Sequence, residues 1–435
     1  MNRKGDLVNI KGLPENKRFD YAWVVVTAGF FLVLILYGTY YCFGVFLKPM
    51  LAELSWSRAR TTGAVSVYMI VHGAFGIIMG VLSDKYGPRL VVVISCLTVA
   101  LGYSLISRIT SPWHLYLFFG VFVGIGMGAA YVPPISTVTR WFTAKRGLAL
   151  GVMAAGVGVG QMILPPLMRH LITLVGWRSS FIIVGAMIIL VGLPSALLLK
   201  DPPDNADFQP NGEFEEEKKS NESMDEYQIH FSLREAIRTL SFTLLLFIFI
   251  SLVFGLSIVL SHLVAHLEDI GIDPVTAAFV ISIIGVTGIF GRIIIGGAAD
   301  RFGSKTMLPA CLMLQAVLIF FLIWAKDLWH FYTIASLFGL SYGGTLPLIL
   351  KISSEYFGVI SIGTIFGFLI FGGTSGGAVG APIAGYVYDI TGNYSIAFLL
   401  GAIVIAGASI LCIIIKPPKK PDKSQDIHME KTHPI

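Results

Sequence analysis

GVLSDKYGPR at residues 80–89 and GGAADRFGSK at residues 296–305 decide the reading of this chain. Both fit G-x-x-x-D-[R/K]-x-G-x-[R/K]. Each follows an apolar run, and they are separated by about half of the 435 residues. A motif doubled at matching places in two halves is the signature of a chain built from two related membrane-spanning bundles. In each copy the carboxylate, Asp84 or Asp300, ends a helix, where it can cap or pair. Gly87 and Gly303 permit a tight turn. Arg89 and Lys305 then face phospholipid or a neighbouring helix end. The pair reads as a latch on one membrane face rather than as a binding site.

Working outward, twelve apolar runs flank the two motifs, at about 23–47, 61–83, 90–107, 113–138, 148–171, 178–199, 240–265, 275–299, 306–325, 329–350, 360–386 and 394–415. Most have the roughly 20 residues that cross a hydrocarbon core as a helix. Strands would not run this long without interruption. Composition agrees: 55% of residues are apolar, 13% charged and 47 are Gly, with a mean hydropathy of +0.77. The net charge of +5 does not indicate a nucleic-acid partner, because the basic residues lie in short stretches between apolar runs. The natural partner is the lipid bilayer.

Residues 1–22 are polar, and the run after them is too long for the apolar region of a signal peptide. With both termini in the cytoplasm, 23 Lys and Arg fall inside; Lys48, Arg58, Arg60, Arg108, Arg169, Arg178 and Lys326 fall outside; Arg292 lies within a span. That asymmetry follows the positive-inside rule. The longest polar gap, 200–239, comes after the sixth run. The expected organisation is a cytoplasmic tail (1–22), a six-helix bundle (23–199), a cytoplasmic linker (200–239), a second six-helix bundle (240–415) and a cytoplasmic tail (416–435). Within the linker, HFSLREAIRTL at 230–240 has the pattern of a short amphipathic helix.

The twelve runs, the long middle loop and the doubled motif resemble the major facilitator superfamily. YVPPISTVTRWFTAKRGLALGVMAAGVGVG at 131–160, FDYAWVVV at 19–26, SHLVAHLEDIGI at 261–272 and EYFG at 355–358 are similar to its monocarboxylate transporter and oxalate–formate exchanger branch. The resemblance implies an all-α polytopic fold of two pseudo-symmetric six-helix bundles. It further implies a secondary transporter working by alternating access, with one complete pathway in each monomer. It implies no enzyme activity, and no cofactor is needed.

Arg292 carries the functional expectation. It stands eight residues before Asp300, about 12 Å along a helix, too deep to belong to the interfacial motif. A guanidinium within a membrane stays charged and faces a cavity or a partner. Its planar fork matches a carboxylate through two parallel hydrogen bonds. The resemblance places a substrate-binding arginine at this position. Animal monocarboxylate carriers also place an aspartate four residues earlier, where this chain has Gly288, and a lysine in the first span, absent here before Lys48. Oxalate–formate exchangers carry a lysine in the eleventh span, and 360–386 contain none. One arginine matches a monoanion such as L-lactate or pyruvate better than a dianion. Proton symport would make entry electroneutral against a negative-inside potential, and anion exchange would do the same. A carrier of other organic solutes, or a receptor, is the alternative.

Tyr131, at the YVPP break of the fourth span, and Tyr342, in GLSYGGTLP of the tenth, are expected to help orient the substrate; Tyr37, Tyr41, His72, Gln161 and Thr374 are further cavity candidates. His262 and His266, four apart on one helical face, lie near the outer end of the seventh span with Asp269 just beyond. Histidine changes charge near neutral pH, so this group reads as a proton-coupling site or as an outer gate. No third ligand adjoins the two histidines, and no metal site is expected. GVGVG at 156–160 and GGTSGGAVG at 372–380 lack the context of phosphate loops and read as places of close helix approach. Cys42, Cys96, Cys311 and Cys412 all fall within apolar runs and read as packing groups.

Overall fold

The computed structural model describes residues 15–142, 146–202, 231–358 and 362–418, and the side chains of all of these except 15–20, 146–147, 300, 362–364 and 366. Helices dominate it. Eleven of them are long and apolar enough to cross a membrane, and one, Leu148–Leu198, turns at Gly176, whose φ is +79°. Counting that rod as two gives the twelve spans expected. They are α1 (Tyr21–Leu54), α2 (Arg58–Tyr86), α3 (Pro88–Ile106), α4 (Pro112–Trp141), α5 (146–175), α6 (177–198), α7 (Leu240–Asp269), α8 (Pro274–Phe302), α9 (Ser304–Phe321), α10 (Leu328–Phe357), α11 (Ile362–Thr391) and α12 (Ser395–Ile414).

The helix boundaries follow from local chemistry. Gly87 and Gly303 sit at φ +86° and +82° between α2 and α3 and between α8 and α9. Only glycine adopts this geometry readily, so the doubled motif makes the same turn twice. Ser57 caps α2, its side chain accepting from Arg60 N, and Asp273 caps α8 by accepting from Val275 N and Thr276 N. The YVPP stretch breaks α4: the helix stops after Met127 and resumes at Val132, with Tyr131 as N-cap. Helix α10 contains Pro347 and is not interrupted there, because membrane helices can accommodate proline where neighbours satisfy the freed carbonyls. Within 230–240, Leu233–Ile237 forms one short helix with a Ser232–Glu235 capping box. It is anchored by Phe231 N donating to Phe357 O at 3.0 Å.

Large aliphatic side chains such as Leu190, Ile293, Ile403 and Ile413 are 59–73% exposed. Such a surface suits hydrocarbon rather than water. The four cysteines are buried and free. Within the halves, α1 packs on α5, α7 on α11, α8 on α10 and α9 on α12; across them, α2 packs on α11 and α5 on α8. The glycine-rich runs lie at these seams: a Cβ on Gly158 would come within 2.9 Å of Gly285 O of α8, and one on Gly376 within 2.0 Å of Ile250 O of α7.

Among the described residues, the two seams close toward the end opposite the motif. Along α2 and α11, Gly385 abuts Ala59 and Thr62, Ser66 Oγ donates to Ala378 O, and Gly73 abuts Thr374. Along α5 and α8, Gly158 abuts Gly285 and Ile289, and Arg292 donates to Ala154 O. Toward the doubled motif, a Cβ on Gly151, Gly296 or Gly367 would meet nothing within 4 Å. Among the described residues, the contacts that close the seams therefore gather toward the end opposite the motif.

Candidate functional site

Between the halves lies a cavity of about 120 Å³, smaller than the roughly 300–1,000 Å³ of sites that take drug-sized ligands. Tyr37, Tyr40 and Tyr41 of α1 and Tyr68, Met69 and His72 of α2 form its wall on one side. Leu256, Ser257 and Leu260 of α7 and Thr374 of α11 close it from the other half. Four of the side chains expected at a cavity (Tyr37, Tyr41, His72 and Thr374) line it together. Gln161 lies apart, buried on α5 beside Gly285, its Nε2 without a hydrogen-bond partner among the described residues.

Tyr41 links this cavity to Arg292. Its hydroxyl lies 3.0 Å from that of Tyr342, and Arg292 acts electrostatically on both Tyr41 and Tyr131. Tyr131 packs edge-on against Tyr37 with centroids 5.8 Å apart. Arg292 itself is half-buried on α8. One guanidinium nitrogen donates to Ala154 O of the other half, and no carboxylate among the described residues pairs with it. The fold thus brings Arg292, Tyr131 and Tyr342 into one polar cluster adjoining the aromatic cavity. An uncompensated cation in such a place is suited to an anion.

His262, His266 and Asp269 belong to a different place, the sealed end. Asp269 binds Lys48 Nζ of α1 at 2.8 Å and the Arg58 guanidinium of α2 at 2.8 Å. Glu268 lies 3.7 Å from Arg169 of α5. Asp389 of α11 accepts from the backbone N–H groups of Arg58 and Ala59, both at 2.9 Å, and so caps α2 from the other half. The guanidinium of Arg58 lies 3.5 Å over the Tyr388 ring and donates to the Tyr394 hydroxyl. That hydroxyl is 3.1 Å from His262 Nδ1, and His262 Nε2 donates to Ala381 O at 2.8 Å. Burial raises the Tyr394 hydroxyl above its ordinary range, so it remains neutral and can bridge arginine and histidine. Half-buried His266 lies among the rings of Phe331, Tyr394 and Phe398. One half supplies the cations Lys48, Arg58 and Arg169. The other supplies the carboxylates.

Charge counting along the sequence treated those three cations as outer-loop residues. Helices α1, α2 and α5 instead carry them into the seam, and Arg58, only 7% exposed, is more enclosed than Arg292. Arg58 begins α2 directly after its cap Ser57, a signal that could have placed it at a helix end facing a neighbour. Tyr40, Tyr68 and Met69 were also missed. Tyr68 and His72 lie four apart on one face of α2, which was the available clue.

At the motif end, Asp84 pairs with Arg140 of α4 at 3.4 Å, and Arg140 also reaches Asp201 at 3.2 Å. Arg89 is half-buried at the start of α3, and Lys305 is exposed at the start of α9. The side chain of Asp300 lies outside the described residues. Its motif neighbour Ser304 donates to Glu355 of the EYFG stretch at 3.2 Å.

Two six-helix halves, a cavity shared between them and a seam sealed at one end define a carrier of small solutes. The chain belongs to the major facilitator superfamily, whose sequence pattern matches residues 29–357 and 267–434; it is an integral membrane protein of the secondary-transport class. It is 30% identical to monocarboxylate transporter 13 of Rattus norvegicus over 90% of this chain and 88% of that one. It is 25% identical to monocarboxylate transporter 12 of Mus musculus, covering 93% and 87%. Among solved structures it resembles a bacterial homologue of the human lysosomal transporter Spinster in an inward-facing, unoccupied conformation. The TM-score is 0.69 with 18% identity, over 91% of this chain and 95% of that one.

Proposed function

We propose that this protein carries small monocarboxylates such as L-lactate or pyruvate across the cell membrane by proton symport. Arg292 is the observation that carries the reading: a half-buried guanidinium beside a cavity, with no carboxylate partner among the described residues. A bound carboxylate supplies the missing charge through two parallel hydrogen bonds, and Tyr131 and Tyr342 orient it. The names of the relatives support the same substrate class.

The motif end faces the cytoplasm in this reading, together with both termini and the linker at 200–239, as the distribution of Lys and Arg favours. The structure then corresponds to an inward-open state with the Lys48, Arg58 and Asp269 network as the closed outer gate. His262, with both ring nitrogens engaged at that end, acts in gating. The domain boundaries remain 23–199 and 240–415, and one chain suffices for transport. Uptake of labelled L-lactate into proteoliposomes tests the coupling. Symport requires that an inward proton gradient accelerate uptake with no anion inside. Uptake that needs an internal anion and ignores the gradient would establish exchange instead.

A further inference from the structure

The cavity is more aromatic than a lactate needs. Lactate offers one methyl group to about 120 Å³ walled by Tyr37, Tyr40, Tyr41, Tyr68, Met69 and His72, and ring faces left uncovered lose dispersion contacts. Its two aliphatic hydroxyls are already occupied: Ser257 Oγ donates to Gly377 O at 2.9 Å and Thr374 Oγ1 to Phe371 O at 2.6 Å. Among the described residues, no Asp, Glu, Lys or Arg lines it. A second charge on the substrate would find no partner there.

The rings are arranged as a stack. Tyr40 lies on Tyr68 at 4.8 Å between centroids and 19° between planes, and Tyr68 lies on His72 at 5.5 Å and 4°. A cage for a quaternary ammonium turns several ring faces toward one point; a run of near-parallel rings instead offers its exposed faces and edges to another ring. His72 adds direction. Its Nδ1 is buried with no partner among the described residues. It can accept a hydrogen bond from a phenol O–H or an indole N–H.

We infer that the preferred substrate is an aromatic monocarboxylate, its carboxylate at Arg292 and its ring in the cavity of Tyr40, Tyr41, Tyr68, Met69, Leu256 and Leu260. Tyr41 spans both parts, with its ring on the cavity and its hydroxyl in the field of Arg292. The inference rests on the reading of Arg292 as the carboxylate site. Because α1 and α2 supply one wall and α7 and α11 the other, a bound ring also fills the seam between the halves.

The test uses the full chain in proteoliposomes. Labelled L-lactate uptake is competed by unlabelled L-lactate, 3-phenyllactate, 3-(4-hydroxyphenyl)lactate and glycine betaine. Labelled 3-phenyllactate uptake is measured directly. Phenyllactate is expected to compete at a concentration at least tenfold lower than lactate, and the hydroxyphenyl acid lower still. Leu256→Trp, which fills the cavity, should bring phenyllactate and lactate to equal potency. Uptake of phenyllactate in the absence of lactate uptake would support the inference as well. The wild-type comparison stands even if the variant does not fold. Lactate uptake with phenyllactate no more potent than lactate would overturn the inference and leave the Arg292 reading intact. Competition by betaine but not by phenyllactate would overturn it in favour of a cation cage. If neither acid is carried by correctly inserted protein, both readings fall.

Discussion

Replacing Asp269 with Asn should unseal the end of the seam that the Lys48, Arg58 and Asp269 network closes. Asp269 holds Lys48 and Arg58 at 2.8 Å each, with side chains 29%, 9% and 19% exposed for Lys48, Arg58 and Asp269. Fully exposed pairs contribute about 0–1 kcal/mol, and breaking a buried pair costs about 3–5 kcal/mol. Each of these partly screened contacts is worth about 1 kcal/mol, so neutralising Asp269 removes roughly 2 kcal/mol from the sealed state. At 1.4 kcal/mol per tenfold, the open-to-closed ratio at that end should rise about 30-fold. Asn keeps the shape, so packing is little disturbed. Ala378→Cys, at the seam against Ser66, provides the readout: a membrane-impermeant maleimide added outside reaches it only when the halves part there. Asp269→Asn should accelerate labelling by at least tenfold over the parent carrying Ala378→Cys alone. An unchanged rate would mean that the ion pairs do not hold the gate and that helix packing between α2 and α11 does.

Other perturbations follow from the same geometry. Tyr394→Phe removes the hydroxyl shared by Arg58 and His262; leaving buried polar groups short of a partner costs about 1–3 kcal/mol, visible as a lower unfolding temperature in detergent. Gly158→Leu drives a side chain toward Ile289 and Gly285 O; overpacking of this kind costs about 1–3 kcal/mol, and transport should fall further than stability because α5 and α8 must meet at this seam. Asp84→Asn loses only a 3.4 Å pair in which Asp84 is 73% exposed, so the unfolding temperature should hardly move, whereas a change in transport rate would indicate a role for the motif in the transition between states.

The fold was legible because membrane helices announce themselves by length and apolarity, and because the doubled motif repeats a glycine turn whose backbone geometry is now seen at both Gly87 and Gly303. Arg292 was legible for the same reason: a charge inside an apolar run has no ordinary explanation. The network around Asp269 was not. Lys48, Arg58 and Arg169 sit near the ends of runs, where charge is common, and nothing in linear order reveals that three helices of one half direct cations at the carboxylates of the other. The aromatic cavity was half legible. Tyr37, Tyr41, His72 and Thr374 were marked, but Tyr68 and Met69 read as ordinary packing until α7 and α11 were set opposite them. The break in α4 is legible at Pro133 and Pro134. The unbroken course of α10 through Pro347 is not, since the neighbours of a carbonyl are tertiary information.

The central claim is that Arg292 binds the carboxylate of the transported solute. Initial uptake of labelled L-lactate under an inward proton gradient, for wild type, Arg292→Lys and Arg292→Ala at equal reconstituted amounts, tests it most directly. The account predicts at least a hundredfold loss in Arg292→Ala and a partial loss in Arg292→Lys, which keeps the charge without the planar fork. Unchanged uptake in Arg292→Ala would contradict it.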